Sequence, residues 1–215
     1  PATPTGPSPL HVSVVALPDA AASTLFGIYD VMNAFALMDG SATAPGASAP
    51  FRAEIVGMQA GRLELASGVP IDVQRSVDTI DATGIVIVPS IVLRPEGWQK
   101  NRYPRLVAWL QAMHARGALL CSACSGIFLL AETGVFDGKE ATVHFGYARA
   151  FAAVHPAVTI HPERVLVISG HREELVCSGA STTWHDMVLY LIARHAGAPA
   201  AEALARLFAP QWPQG

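Results

Sequence analysis

Apolar residues along this chain fall into two recurring patterns, short β-branched runs and longer stretches with an apolar position every three or four residues. The first run, residues 10–17 (LHVSVVAL), predicts a strand that ends before Pro18, and residues 24–37 (TLFGIYDVMNAFAL) carry the helical spacing. Residues 39–49 (DGSATAPGASA) have loop composition, after which residues 51–56 and 62–65 predict strands leading into 69–73, a hairpin excursion. Residues 84–89 (GIVIVP) form a continuous apolar run, as in strands covered on both faces, and residues 103–117 predict a helix stopping at Gly117. Residues 118–124 (ALLCSAC) predict the next buried strand, residues 125–132 (SGIFLLAE) a helix, and Gly134 its stop. A helix over 145–154, strands over 158–160, 165–169 and 175–178, and helices over 180–196 and 198–208 complete the reading.

Strands alternating with helices predict an α/β fold, a flavodoxin-like doubly wound sandwich with a mostly parallel central sheet, whose sites form at the carboxyl ends of strands. The 215 residues suit one domain over 10–209, with residues 1–9 (PATPTGPSP) as a disordered leader and 210–215 as the start of a linker. No apolar run approaches the ~18 residues of a membrane span, and residues 1–9 lack the basic and apolar regions of a signal peptide. A net charge of −3 argues against these residues wrapping nucleic acid, so any DNA contact belongs to a separate domain. Three cysteines in a domain this large point to reduced thiols and a cytoplasmic setting rather than a disulfide framework.

Candidate chemistry centres on Cys124. It stands between an apolar strand and an apolar helix, with Gly126 two residues on, a nucleophile-elbow pattern. Backbone N–H groups at a helix start favour the thiolate of a cysteine placed there, and the same groups can hold an anion or an oxyanion. The competing reading is a small buried hydrophobe. Cys121 and Cys124 also form a C-x-x-C pair, but Cys121 lies within the apolar run and reads as core, as does Cys177. No two histidines stand at metal-ligand spacing, and no phosphate-cradling glycine motif is present, so neither a metal nor a cofactor is expected. His155, His161, His171 and His195 sit beside turn or helix-end signals and read as solvated or capping.

Residues 121–145 (CSACSGIFLLAETGVFDGKEATVHF) resemble the signature segment of the DJ-1/PfpI superfamily, whose fold is that of class I glutamine amidotransferases. The resemblance is strongest to the N-terminal, amidotransferase-like domain of AraC-family transcriptional regulators. It is carried by Ser122, Cys124, Ser125, Gly126, Leu130, Ala131, Glu132, Gly134, Asp137, Gly138, Ala141, Thr142 and His144, with Phe145 where tryptophan is usual. It extends to residues 29–31, 87–89 and 177–192.

What the resemblance implies is a sensor and dimerisation domain that binds a small metabolite beside Cys124, Ser125, His144, Ser90 and Thr24, with His185 at the same sheet edge. Residues 203–212 (ALARLFAPQW) resemble the last helix before a linker to a helix-turn-helix domain in such regulators. The alternative is a cysteine-dependent hydratase or hydrolase, isonitrile hydratase-like, with Cys124 as nucleophile or acid and His144 assisting. Two departures count against it. The acid of catalytic members aligns with Thr24, and the family's Pro-Gly-Gly becomes Pro89-Ser90-Ile91.

Overall fold

The computed structural model describes residues 8–36, 49–180 and 182–208. Its elements, in chain order, are β1 (Leu10–Val15), α1 (Ala22–Asn33), β2 (Phe51–Gly57), β3 (Gly61–Glu64), β4 (Pro70–Val73), β5 (Arg75–Ser76), β6 (Ile85–Val88), α2 (Pro104–Ala115), β7 (Leu119–Ala123) and α3 (Ile127–Ala131). There follow β8 (Glu140–Ala141), α4 (Phe145–Val154), β9 (Thr159–Ile160), β10 (Leu166–Ser169), β11 (Leu175–Ser178), α5 (Trp184–Ala196) and α6 (Ala198–Phe208).

The central sheet has seven strands in the order β10-β11-β7-β6-β1-β2-β5. Every neighbouring pair is parallel except β10 with β11. The unbroken run in β6 has its explanation here, because β6 lies between β1 and β7 and all four of its side chains are fully buried. Burying each contributes roughly 1.5–3 kcal/mol. From β1 the chain proceeds outward first to β2 and β5, then returns to β6 on the other side. The loops after β1 and β6 therefore diverge at a switch point, the usual place for a site in such sheets. The β3–β4 hairpin forms a separate antiparallel pair, as its turn-flanked runs predict.

Local chemistry also explains where the structure departs from the periodicity. The helical pattern over 24–37 resolves into α1 and a 3₁₀ turn over Ala34–Ala36, while Leu37 and residues 39–48 of the loop reading lie outside the described residues. The expected helix over 125–132 is a 3₁₀ turn, Cys124–Gly126, followed by the five-residue α3. The helix expected from residue 180 begins at Trp184, after a turn in which the Thr183 hydroxyl donates to the Ala180 carbonyl. The two-residue strands β5 and β8 are too short to show any period. The leader reading over residues 1–7 and the linker reading over 210–215 also lie outside the described residues. Among the described residues, no helix is long and apolar enough to cross a membrane.

Candidate functional site

β7 ends in an extended Ala123, and the next residue, Cys124, adopts φ +48° before the chain turns into α3. A left-handed conformation in a residue with a Cβ costs on the order of 1–3 kcal/mol and persists only where surrounding contacts fix it. Those contacts are visible on both sides. The buried Ser125 hydroxyl donates to the Ile91 carbonyl at 2.7 Å, and its oxygen accepts the Ile91 N–H at 2.8 Å. Gly126 lies so close to β6 that a Cβ there would stand 2.5 Å from the Val88 oxygen and 2.7 Å from that of Pro89. The glycine is thus required by contact with a neighbouring backbone, and the thiol it helps to place is only 2% exposed.

The connection after β6 is tied equally closely to the start of α1. The Ser90 carbonyl accepts the Ala21 N–H at 2.8 Å, and the Thr24 hydroxyl donates to the Ser90 hydroxyl at 3.3 Å. The Val92 N–H donates to the Asp19 carbonyl at 2.7 Å, and Ile91 forms a β-bridge with Ala20. Thr24, Ser90, Ser125 and the Cys124 turn are therefore joined through hydrogen bonds and adjoining residues. The same bonds have a chemical consequence. The N–H groups of Ile91 and Val92, which follow Ser90 where an oxyanion donor is sought, are already committed. The five-residue α3 also supplies far less aligned backbone than a full helix, so the helix-start assistance expected for Cys124 is correspondingly small.

The two sequence-selected histidines occupy different surroundings. His144 caps α4, and its Nδ1 accepts the Gly146 N–H at 3.2 Å, which leaves the proton of the neutral ring on Nε2. In this arrangement it offers a hydrogen-bond donor rather than a general base. Its ring centroid lies 4.3 Å from that of Phe145, which is 76% exposed. His185 is exposed on the first turn of α5, stacked on Trp184 at 3.6 Å, with Nδ1–H directed to the Thr182 carbonyl at 2.9 Å. It lines an apolar groove with Val31, Leu189, Leu204 and Phe208. Trp184 packs over Gly27, one helical turn beyond Thr24, and this is how α5 approaches the site's α1 wall.

Cys121 and Cys177 are fully buried strand residues, as their apolar contexts predict. Burial pushes the Cys121 thiol well above its usual range and that of Cys177 up to about 11, so neither acts as a resolving thiolate for Cys124. His155 corrects the reading of the turn histidines as solvated. It is 6% exposed, packed 5.1 Å from Phe151 and 6.5 Å from Phe128, and burial followed by the Lys100 charge lowers its pKa to about 4.

Asp19 is a site-forming residue that sequence reasoning missed. Fully buried after β1, it accepts a 2.8 Å bond from the Tyr103 hydroxyl and pairs with Arg102 at 2.8 Å, while Arg94 stands 3.7 Å from its other oxygen. Burial and then the Asp19 carboxylate push the Tyr103 hydroxyl up to about 12. Glu132 braces the same connection from below, accepting from the Trp98 indole at 2.7 Å and the Asn101 N–H at 2.9 Å. Both networks join segments distant in sequence, so no local motif announces them.

Comparison with known proteins places this geometry in context. The model of the DJ-1/PfpI family matches residues 14–194. The HTH-type transcriptional regulator GbdR of Pseudomonas aeruginosa is 30% identical over 149 residues, 69% of this chain and 38% of that protein. CdhR, another HTH-type regulator of the same organism, is 32% identical over 105 residues, 49% of this chain and 30% of that protein. The chain thus spans well under half the length of these curated relatives. An AraC family transcriptional regulator from Pseudomonas putida superposes with a TM-score of 0.74 at 18% identity, covering 94% of this chain and 100% of the other. Drosophila melanogaster DJ-1beta does so with a TM-score of 0.74 at 17% identity, covering 95% and 100%. At such identities the structural likeness speaks to the fold alone.

Proposed function

The chain belongs to the DJ-1/PfpI family, and from that premise we propose that it is the ligand-sensing and dimerisation part of an AraC-type transcriptional regulator. It binds a small metabolite beside Cys124, Ser90, Thr24, Ser125 and His144, and DNA is contacted through a separate domain. The regulator relatives support the class. The observation that carries the choice of sensor over enzyme is the commitment of the Ile91 N–H to the Ser125 hydroxyl, with a hydroxyl at Thr24 where a carboxylate would be needed. A framework whose donors are internally satisfied holds a shape; it does not stabilise developing charge.

Ligand binding to the native state raises thermal stability by mass action. A panel of amines, amino acids and betaines is therefore expected to contain a compound that raises Tm, and alkylation of Cys124 should diminish that shift. No shift across the panel would count against the sensor. Sedimentation of the protein as a monomer at all concentrations would remove the dimerisation role.

The left-handed turn at Cys124 favours a second reading, since backbone strain at a thiol is a common feature of nucleophile elbows. On that reading the protein is a cysteine-dependent hydratase or hydrolase, and Cys124→Ala abolishes turnover of an isonitrile, amide or α-oxoaldehyde without disturbing the fold. Absence of turnover by wild type over those classes removes it.

A further inference from the structure

At the carboxyl ends of α3 and α4 the surface opens into a cavity of about 290 Å³, close to the ~300 Å³ at which small-molecule sites begin. Four stretches of chain meet there: Lys100 stands in the connection after β6, Glu132 at the end of α3, Asp137 in the turn that follows, and His155 where α4 closes. Lys100 and Asp137 are exposed, Glu132 is half-buried and His155 is buried. The two charges of opposite sign therefore stand toward solvent, and the imidazole lies inward of them.

Both Glu132 oxygens are committed, one to the Trp98 indole and one to the Asn101 N–H. Three other groups are not. The His155 Nε2 is buried without a hydrogen-bond partner among the described residues. The Phe128 carbonyl takes a hydrogen bond from this ring, which puts the proton of the neutral imidazole on Nδ1 and leaves Nε2 as a lone pair. Lys100 and Asp137 make neither an ion pair nor a side-chain hydrogen bond among the described residues. Both nevertheless act electrostatically on the His155 ring, in opposite senses, so each stands near it without pairing with the other. A buried acceptor left without a donor costs on the order of 1–3 kcal/mol, and such a group in a native fold calls for a role.

Among the described residues, no group of three or more histidine, cysteine, aspartate or glutamate side chains is placed to hold a metal ion. The cation that suits a carboxylate beside an imidazole lone pair is then one that brings its own N–H donors. A primary ammonium does so, and the partial negative charge at the carboxyl end of α4 favours it further. Lys100 supplies the counterpart for a carboxylate on the same molecule. We propose that this cavity binds a small α-amino acid, whose ammonium donates to the His155 Nε2 and the Asp137 carboxylate, whose carboxylate meets Lys100, and whose short side chain lies against Ala131 and Pro156. The site stands at the opposite end of α3 from Cys124 and does not depend on that residue.

Nitrogen-15 NMR of the imidazole rings of the full chain at pH 7 reads the event directly, because a ring nitrogen that accepts a hydrogen bond moves upfield. L-Valine should shift the His155 Nε2 resonance saturably, and His155→Phe identifies that resonance by its loss. N,N,N-Trimethyl-L-valine, which keeps both charges but has no N–H, should leave the resonance in place. L-Valinamide, which lacks the carboxylate, should bind about tenfold more weakly, a charged hydrogen bond being worth on the order of one decade. Asp137→Asn and Lys100→Gln, both at exposed positions, should each weaken L-valine by about the same factor. Cys124→Ala should respond to L-valine as wild type does, which separates this site from the one proposed beside Cys124. Absence of a saturable shift, an equal shift with the trimethyl analogue, unchanged affinity in Asp137→Asn or in Lys100→Gln, or loss of the response in Cys124→Ala would each overturn the proposal.

Discussion

The two ends of α3 satisfy their polar groups in opposite ways. At its start, the Cys124 turn carries backbone strain, but the polar atoms of Ser125 and Ile91 are paired with each other. Near its end stands His155, the residue that closes α4, where the backbone has no left-handed residue, yet the buried Nε2 of that ring has no hydrogen-bond partner among the described residues. The first region spends conformational energy to hold one side chain in place and is protected by pairing. The second gains from aromatic packing against Phe128 and Phe151 and leaves a titratable group exposed to a change of pH. Strain therefore marks the region with a positional task, and an unsatisfied nitrogen marks the region whose stability depends on solution conditions.

The largest expected effect comes from Gly126→Ala. Its Cβ would meet two carbonyl oxygens of the backbone that follows and ends β6, neither of which can rotate away. A loss of about 3 kcal/mol or more in urea-unfolding free energy is expected, at the upper end of overpacking costs. A loss below about 1 kcal/mol would show that the Cys124 turn is not wedged against β6.

Acid should act on the other end. The folded His155 ring titrates at about 4 against 6.5 for the ordinary imidazole, so between those values the unfolded chain binds a proton that the folded chain does not. Stability is full above pH 6.5 and falls as pH drops toward 4, by on the order of 2–3 kcal/mol at the lower limit. His155→Phe should flatten the wild-type slope between pH 6.5 and 4.5, where the carboxylates still contribute little. Identical slopes for the two proteins would assign the acid sensitivity elsewhere.

Ser125→Ala leaves the Ile91 N–H and C=O without the partner they share, and should cost about 1–3 kcal/mol. Because the bond secures the segment facing Cys124, the same variant should raise the rate of Cys124 alkylation, measured by intact mass. An unchanged rate would detach the clamp from the thiol. The smallest effect is expected from Cys124→Gly, where relief of the left-handed strain, about 1 kcal/mol, opposes the loss of a small buried side chain of similar worth. A net change beyond about 2 kcal/mol in either direction would contradict that balance.

The fold was legible because its determinants repeat along the chain. The unbroken run of β6, the apolar context of β7 and the spacing of α4 and α6 each carry their own signature, and the structure places them as the pattern predicts. The elbow was also legible, since a strand, a cysteine and a glycine two residues on form a local motif. What was hidden depends on partners far apart in sequence. Tyr103 meets Asp19 across 84 residues and Trp98 meets Glu132 across 34, and neither pairing leaves a trace in local composition. His155 was misread for the same reason: it follows a helix in a turn-like context, and only the tertiary packing of Phe128 and Phe151 buries it.

The most direct test of the sensor account follows both partners of the same incubation. Wild-type protein, Cys124-alkylated protein and Cys124→Ala are mixed with a panel of amines, amino acids, betaines and isonitriles. Thermal unfolding reports on the protein and mass spectrometry on each compound. The account predicts a compound that raises the Tm of wild type, raises it less after alkylation, and is recovered unchanged. A compound consumed by wild type and spared by Cys124→Ala would contradict it and make the Cys124 turn a catalytic one.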